Sequence, residues 1–404
     1  MDLYLARQPI LDKKLKVKGY ELLYRSGAGA DSFSGENADY ASATTAIESF
    51  YATGIAAITG SKPAFVNFTS SLLLQNVATL FQKDLLFIEI QKDTDPTIET
   101  INICTELNKR GYTLVLDNFE YDPRYEPFIK LSKIIKFDFL SKTPDKITEM
   151  IRRMDVSGKQ LAAVRIESYD MFNQAINMGF SLFQGHFFSK PAVLTSKRLV
   201  PLKISYVSLI NELSDTNDFD FDKIAKIIRQ DLALCHKLLK MINSIYYGLL
   251  HKVTDIKRAL VILGINEIRK WIYFIAVAKT NADKPEELIR ISMIRGFFIE
   301  QFSNTGKCKY PKETLFLLGI FSLLDVVMEQ PMQVALSDIH IPAEISEALI
   351  NRKGRLYDYL RLIISIEDGN WDETDRLAEV LGISRQQISD YYLAAIKLCE
   401  ELSK

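Results

Sequence analysis

The first half of the chain alternates between short apolar runs and longer amphipathic stretches. The apolar runs predict four buried strands, at Ala64–Phe68, Leu85–Ile90, Thr113–Asp117 and Lys133–Phe137. Between them lie stretches such as Pro96–Arg110, in which apolar residues recur at helical spacing. Continuous apolar strands separated by helices favour parallel pairing through right-handed crossovers. We therefore predict an α/β fold for this half, and more narrowly a closed (β/α) barrel.

Polar side chains fall within or just past the ends of the apolar runs. In a (β/α) barrel the chemistry takes place at the carboxyl ends of the strands, so these residues are candidates for a functional site. They are Glu21, Asn67, Glu89, Asp117 and Lys136. Their oxygen atoms are ligands that suit hard divalent cations such as Mg²⁺ and Mn²⁺. The alternative is that they only hydrogen-bond to their neighbours at the strand ends.

The pattern changes after residue 190. From about Ser205 onward, amphipathic helices follow one another with almost no strand signal, and the acidic stretch Asp215–Asp222 predicts a break before a helix start. We predict three parts: a barrel over residues 1–200, an all-α domain over 201–330, and a helical C-terminal extension of that domain over 331–404.

Composition limits the class of protein. The chain has 404 residues and a formal net charge of −1, so no overall positive charge attracts nucleic acid. The longest apolar stretches are shorter than the ~20 residues needed to span a bilayer. We also expect no secretory signal at the N-terminus. The cysteines are scattered and the histidines lack metal-ligand spacing, which is typical of a cytoplasmic protein without disulfides.

Seven short motifs occur in the first half, in a fixed order. They are QPI (8–10), GYELLYR (19–25), VNFTS (66–70), FIEI (87–90), LVLDNF (114–119), IIKFD (134–138) and FQGHFFSKP (183–191). Together they resemble the EAL domain, a bacterial cyclic-di-GMP phosphodiesterase. The resemblance implies a (β/α) barrel that opens the cyclic dinucleotide with two divalent cations ~3.5–4 Å apart.

The resemblance also implies a role for individual residues. The metal-ligand positions are Glu21, Asn67, Glu89 and Asp117; the catalytic positions are Lys136 and Glu167; the cyclic-di-GMP positions are Arg25 and Gln184. Any metal bound there would be Mg²⁺ or Mn²⁺.

Four residues depart from the EAL pattern. Asn118 replaces the second aspartate of DDF, which holds the second cation, and Val164 replaces the first glutamate of AEGVE. Glu120 replaces a loop glycine, and Lys92 replaces the glutamate that tethers that loop. A valine cannot bind a metal, and an amide lacks the charge of a carboxylate. We predict a catalytically inactive barrel in which Lys136 and Glu167 are vestigial. The alternative is an atypical, metal-dependent cyclic-di-GMP phosphodiesterase.

A second signature lies in the helical half. The stretches Asn243–Gly248 and Ala259–Gly264 follow the pattern NSxYYG…AxxxLG, which resembles the HDOD domain. HDOD domains are helical relatives of the metal-dependent HD phosphohydrolases. The chain contains no His-Asp doublet, and Gly319–Leu323 stands where the related enzymes would carry one. The resemblance implies an interaction domain. Asn243, Ser244 and Gly248 are residue types that cap or end helices, and this structural role is favoured over ligand binding.

The segment 376–396 contains two predicted helices joined by a turn with Gly382 and Ser384, a pattern typical of a helix-turn-helix. Arg385, Gln386 and Gln387 would begin its second helix. Acidic residues flank the segment and basic residues are sparse, so we expect a helical hairpin packed on the HDOD domain rather than a nucleic-acid-binding element.

Taken together, the sequence predicts a non-catalytic bacterial signalling protein, with an EAL-type (β/α) barrel followed by a helical HDOD domain. It would act through contacts with other signalling proteins and would sense cyclic-di-GMP. The resemblance also implies a homodimer. We predict no membrane contact and no certain cofactor. DNA binding through residues 376–396 is kept as a second alternative to this function.

Overall fold

The structure is a computed structural model of the chain. It describes residues 3–26, 47, 50, 54–92, 94–118, 121–189, 209, 220–229, 232–243, 253–279, 285–306, 308–328, 330–337 and 341–403. The chain divides into two compact units. The first consists of Met1–Lys190 and Ile364–Leu393, and the second of Pro191–Ile363 and Ala394–Lys404.

The first unit contains a closed barrel. Its strands, in chain order and in their order around the barrel, are β1 (Leu3–Asp12), β2 (Val17–Ser26), β3 (Ala64–Phe68), β4 (Leu86–Ile90), β5 (Thr113–Leu116), β6 (Ile134–Asp138), β7 (Gln160–Val164) and β8 (Leu182–Phe183). Neighbouring strands from β2 to β8 pair in parallel. The predicted α/β barrel is therefore confirmed.

The first strand breaks the parallel rule. β1 pairs antiparallel with both β2 and β8. The reason is the short connection from Asp12 to Val17, where Leu15 N donates to Asp12 O over 2.9 Å. Such a turn closes a hairpin, whereas a parallel pair needs a crossover of a dozen or more residues. The prediction of parallel pairing did not include this hairpin.

The barrel interior is a packed core. One cluster gathers a side chain from each of six strands: Ile10, Phe65, Val115, Ile134, Ala162 and Leu182. Phe87 packs against this cluster, and its ring centroid lies 4.9 Å from that of Phe65. These residues fill the barrel below the strand ends, so the polar residues at the strand ends rest on an apolar floor.

Helices follow most of the strands. They are α1 (Ile55–Thr59), α2 (Ser70–Leu74), α3 (Ile98–Lys109), α4 (Glu126–Leu131), α5 (Pro144–Arg152) and α6 (Tyr169–Asn177). Hydroxyl side chains cap α2, α3, α5 and α6, because each accepts a hydrogen bond from a backbone N–H of the first turn. The capping residues are Thr69, Thr97, Thr143 and Ser168.

The remaining helices follow β8 in the chain. They are α7 (Phe221–Arg229), α8 (Leu232–Ile242), α9 (Ile256–Lys279), α10 (Glu286–Glu300), α11 (Lys312–Ile320), α12 (Leu324–Met328), α13 (Met332–Ala335), α14 (Ala343–Asn351), α15 (Arg355–Glu367), α16 (Trp371–Leu381) and α17 (Arg385–Ser403). Among the described helices, none combines the length and apolar character needed to cross a bilayer.

In the second unit, α10 and α11 approach each other closely. A Cβ atom at Gly319 would overlap the backbone of Arg295 and Gly296. The glycine at the first position of the stretch 319–323 is thus explained by helix packing. Beside it, Ser322 Oγ accepts a hydrogen bond from Arg295 Nη1 over 3.1 Å.

Part of the C-terminal region groups with the barrel. The expected helical extension over 331–404 stays a prediction, and in the structure Ile364–Leu393 belongs to the same unit as Met1–Lys190. We call Ile364–Leu393 the C-terminal segment. It includes the end of α15, all of α16 and the beginning of α17. The domain limits at residues 200 and 330 stay predictions.

Candidate functional site

A buried lysine lies at the centre of the candidate site. Lys136, on β6, exposes only 1% of its side chain and forms ion pairs with three carboxylates. Its Nζ lies 2.7 Å from Glu21 Oε2 and 3.7 Å from Asp117 Oδ1, and it also pairs with Glu89. These side chains come from β2, β4 and the end of β5. They meet because the ends of neighbouring parallel strands lie at one rim of the barrel.

The cluster carries an excess of negative charge, with three carboxylates around one ammonium. Burial raises the pKa of the Glu89 carboxyl well above its usual value, and the charge of Glu21 adds to this rise. Burial also raises the pKa of Asp117, against the lowering effect of Lys136. Burial alone would lower the pKa of Lys136, but the carboxylates raise it overall. The site therefore favours protons or another cation in addition to the ammonium.

Gln184, which follows β8, links Glu21 of the cluster to Gln8 of β1. Gln184 Nε2 donates to Glu21 Oε2 over 2.8 Å and to Gln8 Oε1 over 2.9 Å. The turn at Gly185 permits this position, because a Cβ atom there would overlap the backbone of Ile166. Gln184 was predicted to lie at the site, whereas no role was predicted for Gln8. Its presence in the QPI motif was the available signal.

Some oxygen atoms in the cluster lack a hydrogen bond. Among the described residues, no donor reaches the buried Oδ1 of Asn67, the Oε2 of Glu89 or the Oε1 of Gln184. Asn67 and Glu89 are paired neighbours on β3 and β4. Buried polar atoms without partners are costly and rare in native proteins. Together with the carboxylates of Glu21 and Asp117, these oxygens are hard donors of the kind that divalent cations prefer.

In this structure the carboxylates converge on the ammonium of Lys136. Within the described part of the chain, no three His, Cys, Asp or Glu side chains take up metal-ligating geometry. A cation held by Glu21, Asn67, Glu89 and Asp117 would thus share these oxygens with Lys136. The assignment of these four residues as ligands stays a prediction.

The described residues that depart from the EAL pattern are poor metal ligands. Asn118 has a left-handed backbone, with φ of 45°, and its Oδ1 accepts a hydrogen bond from Lys142 Nζ over 3.3 Å. Val164, at the end of β7, is buried and offers only methyl groups. Lys92 is exposed, and its backbone O accepts a hydrogen bond from Tyr125 Oη over 2.8 Å. Glu120 lies outside the described residues.

Two predicted site residues lie apart from the cluster. Glu167 is exposed, just beyond the end of β7. Arg25 lies near the end of β2, and its Nη1 is 2.8 Å from Asp372 Oδ1 in the C-terminal segment. The structure therefore brings together the four predicted metal ligands, Lys136 and Gln184, whereas Glu167 is exposed and Arg25 pairs with Asp372.

Asp138 completes the KxD pair with Lys136 but faces other partners. Its Oδ1 accepts hydrogen bonds from the backbone N–H groups of Leu140 and Ser141, and its Oδ2 pairs with Arg165 at 2.8 Å. Burial would raise the pKa of Asp138, but these hydrogen bonds and the charge of Arg165 lower it below its usual value. Asp138 thus fixes the loop after β6.

In the helical unit, Asn243 has a structural role. Its Nδ2 donates to Leu239 O and Val253 O, over 2.7 and 2.8 Å, and its Oδ1 accepts from Val253 N over 2.7 Å. The side chain joins the end of α8 to the chain just before α9. Ser244, Gly248, His251 and His340 lie outside the described residues.

The polar side chains at the start of the second helix of the helix-turn-helix-like segment bind to neighbouring residues of the C-terminal segment. Arg385 donates from Nε and Nη2 to the two carboxylate oxygens of Asp375, over 2.9 and 2.8 Å. Gln386 donates to Asp390, and Gln387 accepts from Ser384. The three side chains suggested for reading bases make these contacts instead.

Comparison with known proteins agrees with both halves. Residues 200–337 match the family model of the HDOD domain. The chain is similar over its whole length to the uncharacterized protein YuxH of Bacillus subtilis, with 32% identity over 410 residues and 99% of that protein covered. It is also 28% identical to the cyclic di-GMP phosphodiesterase CdgJ of Vibrio cholerae, with 99% of this chain and 93% of that protein covered.

Solved structures similar to part of this chain include EAL proteins. One is BlrP1 of Klebsiella pneumoniae in complex with calcium and cyclic-di-GMP, with 20% identity and a TM-score of 0.39. That match covers 48% of this chain and 56% of the BlrP1 chain. Another is an EAL domain protein of Listeria monocytogenes, with 20% identity and a TM-score of 0.37, covering 47% of this chain and 89% of that chain. Because its barrel, its HDOD match and its full-length relatives agree, this chain belongs to the family of two-module proteins that join an EAL-type barrel to an HDOD domain.

Proposed function

We propose that this chain is a non-catalytic signalling protein whose barrel binds cyclic-di-GMP together with a single divalent cation. One observation carries the proposal. The carboxylates of Glu21, Glu89 and Asp117 converge at the barrel rim. By contrast, Val164 offers only methyl groups, and the amide of Asn118 accepts a hydrogen bond from Lys142. Phosphodiester cleavage in two-metal sites needs both cations, because they stabilise the attacking and the leaving oxygen.

The charges of the cluster support binding of one cation. A divalent ion among Glu21, Glu89 and Asp117 would balance their charge and would satisfy the buried oxygens of Asn67 and Glu89 that have no hydrogen bond. It would supply a positive charge for a phosphate group of the dinucleotide. Gln184 would hold Glu21 in place, and its Oε1 would accept a hydrogen bond from the ligand.

The second module would deliver the signal. The described residues show Asn243 as a clamp between α8 and α9. The stretch 319–323 has no metal-binding doublet, and Gly319 serves helix packing. We therefore propose that the HDOD domain works through contacts with other signalling proteins. A homodimer is part of the same proposal.

A second candidate function is cyclic-di-GMP hydrolysis. The observation in its favour is the similarity over nearly the full length to CdgJ, which is named a cyclic di-GMP phosphodiesterase. In that case Lys136 would help to position the attacking water, and one cation would have to do the work of two.

Calorimetric titration of cyclic-di-GMP, first with Mg²⁺ and then with Mn²⁺, tests both functions. We expect saturable binding and recovery of the intact dinucleotide by chromatography afterwards. Appearance of the linear dinucleotide would establish hydrolysis instead. No heat with either metal would refute binding altogether. Glu89→Gln, which removes one ligand charge, should weaken binding, whereas Glu99→Gln on the exposed face of α3 serves as the control.

A further inference from the structure

The C-terminal segment is fixed to the barrel at Tyr4 of β1. The Trp371 ring stacks on the Tyr4 ring, with centroids 5.5 Å apart and an interplanar angle of 2°. Tyr4 Oη donates to Asp375 Oδ1 over 2.7 Å, and Arg385 pairs with the same carboxylate. Tyr4 is only 2% exposed. A stacked aromatic pair with a partly buried hydrogen bond and a bidentate ion pair forms a strong attachment.

A second set of contacts lies closer to the candidate site. Gln8 Nε2 donates to Glu367 O over 2.9 Å, and His186 Nε2 lies 3.1 Å from Asp368 Oδ1. Arg25 pairs with Asp372 at 2.8 Å. Gln8 also accepts from Gln184, which donates to Glu21. The stretch 367–372 therefore contacts residues beside the carboxylate cluster.

Arg25 lies near the carboxyl end of β2, on the strand that carries Glu21. It lies four residues beyond Glu21 on β2, ~13 Å along the strand at ~3.3 Å per residue. A guanidinium is suited to bind a phosphate through two parallel hydrogen bonds. In this structure Arg25 Nη1 donates a hydrogen bond to Asp372 Oδ1. A carboxylate resembles a phosphate group in offering two charged oxygen acceptors.

The Arg25–Asp372 pair is weak enough to be displaced. The Asp372 side chain is 92% exposed, and Arg25 is 28% exposed. Exposed ion pairs contribute little, because water solvates both charges and salt screens them. The attachment at Tyr4 does not depend on this pair, so Asp372 can leave Arg25 while α16 stays on the barrel.

We propose that Asp372 competes with the phosphate of a cyclic dinucleotide for Arg25, so that the C-terminal segment tunes the affinity of the barrel for its ligand. This inference rests on the proposed function. The segment would act as a built-in competitor at high local concentration, and ligand binding would release the Asp372 carboxylate into solvent.

Titration of cyclic-di-GMP with Mn²⁺ into Asp372→Asn tests the competition. Removal of the carboxylate charge should tighten binding about two- to fivefold, which is the range expected for one exposed ion pair. Glu379→Gln is the matched control, because Glu379 is an exposed acid on the same helix. In the Arg25→Ala background, Asp372→Asn should have no further effect, since the shared partner is gone.

The outcomes separate this inference from the proposed function. Tighter binding by Asp372→Asn with an unchanged Glu379→Gln supports the competition. Equal binding by all three proteins overturns the competition and leaves the proposed function intact. If none of the three binds, both fall together.

Discussion

Gln184 joins Glu21 to Gln8 through the two hydrogens of one amide nitrogen, over 2.8 and 2.9 Å. Gln8 in turn donates to the backbone of Glu367. A row of hydrogen bonds thus runs from the C-terminal segment into the carboxylate cluster. The row fixes the orientation of both amides, since each one must present its nitrogen to an acceptor.

The first prediction concerns this row. Gln184→Leu should lower the free energy of unfolding of the barrel by about 1–3 kcal/mol, because it removes the donor to Gln8 Oε1 and one of the two donors to Glu21 Oε2, leaving only Lys136. Urea denaturation measures the change. Gln174→Leu, at an exposed position of α6, is the control and should change stability little. Equal stability of both variants would show that the row contributes nothing.

The second prediction links metal binding to protons. Because burial raises the pKa values of Glu89 and Asp117, part of the cluster binds protons above the usual range of carboxyl groups. A divalent cation binds the deprotonated carboxylates, so binding should release protons, and affinity should rise with pH until the raised pKa values are passed. Calorimetry with Mn²⁺ in two buffers of different ionisation enthalpy counts these protons. Proton uptake, or an affinity independent of pH, would contradict this assignment.

The third prediction restores the second-cation positions. The pair Asn118→Asp and Val164→Glu should raise cleavage of cyclic-di-GMP at least about tenfold above the unaltered chain, as expected for recovery of a metal-stabilised step. Aspartate tolerates the left-handed backbone of position 118 nearly as well as asparagine. Asn118→Asp with Val164→Leu is the matched control, because leucine cannot bind a metal. If the double variant cleaves cyclic-di-GMP no faster than the unaltered chain and the control variant, the residues at positions 118 and 164 are not the cause of the inactivity.

The fourth prediction concerns Asp138. Its lowered pKa means that its stabilising effect is present above the usual value of 3.8 and is lost as the pH falls through its value in the folded protein. Asp138→Asn should therefore cost about 1–2 kcal/mol at pH 7. The difference from the unaltered protein should close as the pH falls below about 4. Denaturation at several pH values measures it, with the exposed Asp84→Asn as control.

The fifth prediction tests the clamp in the helical unit. Asn243→Ala removes three hydrogen bonds between α8 and the chain before α9. Loss of an exposed amide that makes three hydrogen bonds should destabilise this unit by about 0.5–1.5 kcal/mol. The exposed Asn266→Ala on α9 is the control. If Asn243 were a ligand-binding residue instead, its removal would leave stability unchanged.

Strands β3 to β6 and the cluster at their ends could be predicted from local sequence, because apolar runs mark buried strands and parallel strands bring their ends to one rim. Glu21, Glu89, Asp117 and Lys136 accordingly meet, although they are far apart in the chain. The fit of the EAL-type barrel and the HDOD match confirmed the family resemblance.

Contacts between distant segments could not be predicted in this way. Nothing in the local pattern around Asp372 or Trp371 indicates Arg25 or Tyr4 as a partner. The amphipathic pattern of α16 indicates that one face is buried, but not which surface covers it. For the same reason the sequence analysis attached the C-terminal helices to the helical domain. The bond from Lys142 to Asn118 depends on the fold of two loops and had no sequence signal.

The stacking of Trp371 on Tyr4 also has a consequence for how the protein is made. The hydrogen bond from Tyr4 to Asp375 spans 371 residues of chain. At ~5–20 residues per second, a ribosome needs roughly 20–70 s to cover that distance. During this interval β1 has been synthesised, but Trp371, which stacks on Tyr4, has not. The face of Tyr4 that Trp371 covers is thus a surface that a nascent chain would expose to chaperones until the helices that begin at Trp371 and Arg385 have been synthesised.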